Sequence, residues 1–93
     1  MCRNIRVLHH FAPPTTKEEM RAAALQYVRK VSGATKPRAG DEAAFQRAVD
    51  AVSAATEKLL AALEARGEPR TRDGEREKAR ARWKKREERI AAR

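Results

Sequence analysis

Gly33-Ala34-Thr35-Lys36-Pro37-Arg38-Ala39-Gly40-Asp41 is a nine-residue break between two periodic stretches, and its reading decides the fold. Ahead of it, Met20, Ala23, Ala24, Tyr27, Val28 and Val31 recur at steps of three and four. Behind it, Phe45, Val49, Val52, Thr56, Leu59 and Leu63 do the same. Each set is a single apolar stripe on an amphipathic helix. A connection holding two glycines and a proline lets the second stripe fold back onto the first. The expectation is an all-α chain built on an antiparallel helical hairpin.

The helix ends are marked in the sequence. Thr16 with Glu19 three residues on makes a capping box, and Glu18 and Glu19 suit the positive end of a helix. The first helix should run over about 17–32, with Gly33 taking the left-handed position after it. Asp41 is the expected cap of a second helix over about 42–66, terminated by Gly67. The second helix is the longer, so the first runs out opposite about Glu57 and leaves Leu59, Leu60 and Leu63 uncovered.

The 93 residues allow one small core and no more. Large apolar side chains are few, so a bare hairpin needs either a third element or a second copy of itself. The front of the chain supplies a candidate. Ile5, Val7, Leu8 and Phe11 lie on residues 1–12, which Pro13-Pro14 separates from the first helix and holds extended. No other strand candidate is available to pair with this arm. Its apolar residues are therefore expected to cover the leucine end of the second helix, with a homodimer of hairpins as the competing solution.

Charge is unevenly placed. Lys and Arg number 22 against 13 Asp and Glu, for +9, and two thirds of the excess falls in residues 66–93. Residues 68–74 read as a linker and 75–93 as a detached, basic helix too poor in apolar residues to fold alone. The domain division is thus 1–66, the hairpin with its arm, and 67–93, a helical or partly disordered tail. A single cysteine excludes an internal disulfide, and no apolar run reaches the length of a signal core or membrane span. A cytoplasmic protein is the working expectation.

Several stretches resemble a known family. These are the opening Met1-Cys2-Arg3-Asn4-Ile5, the Pro13-Pro14-Thr15 step, Val28-Arg29-Lys30-Val31-Ser32-Gly33, Thr35-Lys36-Pro37 and Ala43-Ala44-Phe45. Over about residues 1–63 they resemble a family of short bacterial proteins classed as a domain of unknown function, with the basic tail outside the resemblance. The resemblance implies a small, all-helical cytosolic protein and supplies no activity. Ala34, Arg38 and Asp41 depart from the aromatic, serine and asparagine that the family tends to carry there.

Two basic clusters are candidates for chemistry. Arg29, Lys30, Lys36 and Arg38 surround Ser32-Gly33 and Thr35, where cations, hydroxyls and exposed backbone N–H groups suit a phosphate. The plainer role of Arg29 and Lys30 is to stabilise the negative end of the first helix. In the tail, Arg80, Arg82, Lys84, Lys85 and Arg86 would track a phosphate backbone, and Trp83 offers a stacking face. Intrahelical pairs with neighbouring glutamates are the plainer reading there.

The arm carries the remaining candidates. Cys2, exposed by removal of Met1, would set a thiol beside an amine and near Arg3 and Arg6, an arrangement that favours thiolate. No oxyanion loop or partnered acid accompanies it, so no catalytic residue is assigned. Cys2, His9 and His10 do not make a metal site in one chain, because adjacent histidines on an extended arm point to opposite sides. No cofactor or metal is expected. Tyr27 and Phe45 are expected in the core, and Thr56 should bond back within its helix.

The leading expectation is a non-enzymatic protein that binds nucleic acid, RNA rather than DNA, through its tail and hairpin connection. No base-reading motif is present, so phosphates should carry the contacts. A thiol-dependent or metal-associated protein using Cys2, and a helical assembly module, are the alternatives.

Overall fold

A computed structural model describes residues 4–92, so Cys2 and Arg3 lie outside the described residues. Three helices form, α1 (Lys17–Ser32), α2 (Glu42–Ala62) and α3 (Arg72–Ala91). α1 and α2 pack as a hairpin, while α3 packs along neither. The fold class is all-α, as the hydrophobic periodicity predicts.

α1 begins and ends as its sequence dictates. The Thr16 hydroxyl accepts from the Glu19 amide at 3.1 Å, and a Glu19 carboxylate oxygen accepts from the Thr16 amide at 2.9 Å. Both halves of the capping box are therefore made. Gly33, at φ 72°, closes the helix in the left-handed region, and its N–H donates to the Arg29 carbonyl. Thr56 donates to the Val52 carbonyl at 2.8 Å, the back-bond expected of it.

The core is small. Ala24, Val28 and Val49 are buried where the helices cross, with Leu25, Phe45, Ala48 and Val52 packed around them. One side of the hairpin is laced by charge. Arg21 donates to Asp50 at 2.8 Å, and Lys17 reaches Glu57 at 3.8 Å. The Arg21 guanidinium and then the Gln46 amide hold the Asp50 carboxyl below its ordinary range. The Lys17–Glu57 pair fixes the register: α1 does run out opposite Glu57, and the last turn of α2 extends past it.

The second helix departs from expectation at both ends. Asp41 does not cap it: its backbone is helical, its side chain makes no cap bond, and a short 3₁₀ turn over Ala39–Asp41 leads in instead. α2 then stops at Ala62, a turn before the expected Arg66, because Leu63 is extended at ψ 137°. The reason is tertiary. Residues 63–71 form a strap that returns to the arm, and a helix carried on to Arg66 would take Arg70 away from it.

The arm and strap close the structure. Leu8 and Phe11 are buried on the arm, but Ile5 and Val7 are exposed. Leu60 is half-buried, whereas Leu59 and Leu63 stay exposed, so the leucine end is not covered as expected. Tyr27 and Val31, expected on the core stripe, are exposed as well. The arm does find a pairing partner: Phe11 and Arg70 form an isolated parallel bridge. The Ala12 N–H donates to the Arg70 carbonyl at 2.9 Å, and the Arg70 N–H to the His10 carbonyl at 2.7 Å.

Candidate nucleic-acid interface

Helix α3 starts three residues earlier than its composition suggests. Thr71 caps it by accepting from the Gly74 amide at 2.9 Å, and Asp73 and Glu75 stand in the first turn. Gly74 therefore belongs to the helix rather than to a linker. Beyond this turn the helix projects with nearly every side chain exposed.

Helical geometry sorts the tail cations into faces. Lys78, Arg82, Lys85 and Arg89 fall four, three and four residues apart, on one face about 16 Å long. Lys78 is 3.6 Å from Glu75, whereas Arg82, Lys85 and Arg89 make no ion pair among the described residues. Arg80 is spent differently, on Glu77 at 3.1 Å. Lys84 lies off this face, next to Arg80 around the helix. Trp83 is exposed beside it, with the Arg86 guanidinium 5.9 Å from its ring centroid.

The cations of the hairpin connection are not gathered into one cradle. Arg29 donates through Nε to the Thr35 carbonyl at 3.0 Å, holding the connection in place. Arg29, Lys30 and Thr35 border an open groove of about 510 Å³ with Asn4, Leu25 and Gln26. Lys36 and Arg38 stand outside that groove, on the exposed surface of the connection. Among the described residues no three His, Cys, Asp or Glu side chains converge for a metal ion.

The most elaborate polar constellation turns on Arg72, which the sequence reading did not single out. Arg72, the first residue of α3, donates to both Glu19 carboxylate oxygens, at 2.7 and 3.2 Å. Its remaining N–H groups reach the Pro13 and Pro14 carbonyls at 2.8 and 3.2 Å. Its guanidinium also lies 5.4 Å from the Phe11 ring centroid. Arg6 from the arm adds a 3.2 Å bond to Glu19. The Arg72 guanidinium, the Thr16 amide and Arg6 together hold the Glu19 carboxyl at about 2, against a smaller opposing push from burial.

Neighbouring strap residues repeat the pattern. Arg70 donates to the His9 carbonyl at 2.7 Å, and His10 Nε2–H donates to the Gly67 carbonyl at 2.9 Å. Gly67 and His10 both sit at positive φ, 73° and 59°, where the two segments turn toward each other. The result is a clasp: Arg70 of the strap and Arg72 at the start of α3 bind the carbonyls of residues 9–14, and Arg72 binds the capping carboxylate of α1 as well.

The molecule is thus a helical hairpin, clasped by its own arm and strap, that carries a projecting basic helix. It belongs to the family described as an uncharacterized conserved protein (DUF2277), which matches residues 1–78. The match reaches further than the sequence resemblance over 1–63 and takes in the strap with Arg70 and Arg72. It ends at Lys78, so Arg82, Lys85 and Arg89 lie beyond it. No curated protein and no solved structure matches the chain. No helix among the described residues is long and apolar enough to cross a membrane.

Proposed function

We propose that the chain is a non-enzymatic binding protein that engages the phosphate backbone of nucleic acid, RNA rather than DNA, through α3. One observation carries this reading: Lys78, Arg82, Lys85 and Arg89 share a face of a helix that packs along neither α1 nor α2. Cations in that arrangement gain by displacing condensed counterions from a polyanion. The neighbouring Trp83, flat and exposed, suits stacking on unpaired bases, and unpaired bases are the usual target in RNA. Lys30, Lys36 and Arg38 at the hairpin connection supply a second, weaker set of phosphate contacts. The family match covers Lys30, Lys36, Arg38 and Lys78 and ends before Arg82, Lys85 and Arg89.

The test is binding of the full chain to unrelated single-stranded RNA and DNA oligonucleotides, followed by fluorescence anisotropy from about 50 to about 200 mM salt. The reading expects affinity that falls steeply with salt and depends little on sequence. A triple variant, Arg82→Gln, Lys85→Gln and Arg89→Gln, should reduce the log–log slope by about 2, at about 0.7 per lost contact on single strands. A flat salt series, or a triple variant with the parent's slope, refutes it.

A further inference from the structure

The hairpin has two unlike sides. On one, Arg21–Asp50 and Lys17–Glu57 join the helices. On the other, helical geometry aligns Ala23, Tyr27 and Val31 of α1 with Ala48, Val52, Ala55, Leu59 and Leu63 from α2 and its cap. None of these eight residues is charged, and the largest of them remain in solvent. Tyr27 is 47 %, Val31 66 %, Leu59 56 % and Leu63 46 % exposed. The arm does not cover this side, because Asn4 bonds Gln26 and Arg6 bonds Glu19, on the outer face of α1. An exposed apolar face of this extent marks an interaction surface.

We infer that the surface binds a second copy of this chain, with the two α2 helices antiparallel across a two-fold axis near Val52. The bulky residues are placed for self-complementarity. Tyr27 and Val31 stand at the loop end of the face, level with the first turns of α2, while Leu59 and Leu63 stand at its far end. Val52 is the midpoint of Glu42–Ala62. A two-fold axis there sets Leu59 of one copy at the level of Tyr27 of the other, and Leu63 at the level of Val31. Each such contact occurs twice, as an isologous interface requires. Between the ends lie Ala48 and Ala55, small enough for the helices to approach closely.

Area and charge agree with this occupant. α2 is about 31 Å long and a two-helix face about 20 Å wide, so a pair hides about 1,200 Å² in all, the lower end of stable interfaces. The chain carries +9, yet none of the eight residues that meet here is charged. The basic α3 helices stay outside it, two to an assembly.

The test is sedimentation equilibrium of the full chain without nucleic acid, at high salt and over a concentration series, so the result stands apart from the polyanion reading. The expected mass is twice the chain's 10.5 kDa, with dissociation at about micromolar concentration. Leu59→Glu and, separately, Ala55→Glu put an unpaired carboxylate in the contact and should raise the dissociation constant at least about tenfold. Both side chains are exposed in the single chain, so helix content by circular dichroism should persist. A parent that stays monomeric at about millimolar concentration overturns the inference. So does a dimer that both glutamates leave intact, since it would use another face.

Discussion

Replacing Glu19 by Gln isolates the clasp from everything else in the chain. The amide keeps the size of the side chain and one acceptor for the Thr16 N–H, so the cap is largely preserved. What it removes is the negative charge held between Arg72 and Arg6. In the folded chain that carboxyl sits at about 2 against an ordinary 4.5, a difference worth ~3 kcal/mol by linkage. Its side chain is 18 % exposed, and solvent screening lowers the figure to ~2 kcal/mol. A depressed carboxyl stabilises the fold fully above its unfolded value and loses that contribution as pH falls toward its folded one. The gap between parent and Glu19→Gln should therefore be flat from pH 7 to about 4.5 and close by about pH 2. Urea unfolding followed by circular dichroism across that range measures it. At pH 7 the variant should also melt about 10 °C lower. A gap under about 0.5 kcal/mol at pH 7, or one that persists unchanged at pH 2, refutes the assignment.

Two further substitutions probe the clasp and the hairpin separately. Arg72→Lys keeps the charge but loses the planar fork that serves Glu19, Pro13 and Pro14 together, and should lower the midpoint of urea unfolding. Hydrogen exchange at the Ala12 and Arg70 amides should quicken while that of α2 changes less. Gly33→Ala meets no atom within 4 Å, so its expected cost of about 1 kcal/mol in a thermal melt comes from φ 72° alone.

What the sequence discloses and what it conceals divide along physical lines. The hairpin was legible because its signals are local: Thr16 with Glu19, Gly33, and two stripes at helical spacing. Thr56 was legible for the same reason, since its acceptor is four residues back. The clasp was not. The capping box already accounts for the Glu19 carboxylate, and nothing local shows that a guanidinium 53 residues away shares it. Arg72 was one of 12 cations in a charged stretch, and Gly74 looked like a linker residue although it lies in the first turn of α3. Tyr27 and Val31 misled because a stripe shows which residues are apolar, not whether this chain alone covers them.

Arg72 also explains why a helix so poor in apolar residues has a defined direction. A cation in the first turn of a helix opposes the dipole, so local electrostatics disfavour arginine there. Asp73 and Glu75 in the same turn offset that, and Glu19 makes the position favourable by binding the guanidinium from α1. Among the described residues, α3 is thus fastened through its first turn, by Arg72 to Glu19 and by Glu75 to Arg70 at 3.4 Å. Of the cations proposed to meet phosphate, Lys78 stands about 9 Å along the helix from Arg72, and Arg82, Lys85 and Arg89 stand about 15 Å or more away, well beyond the ~8 Å over which exposed charges act at physiological salt. Fold and candidate interface therefore meet only at Glu75, which both Arg70 and Lys78 approach. Arg82, Lys85 and Arg89 can be altered without loosening the clasp, and a polyanion bound to them does not compete with Glu19 for Arg72.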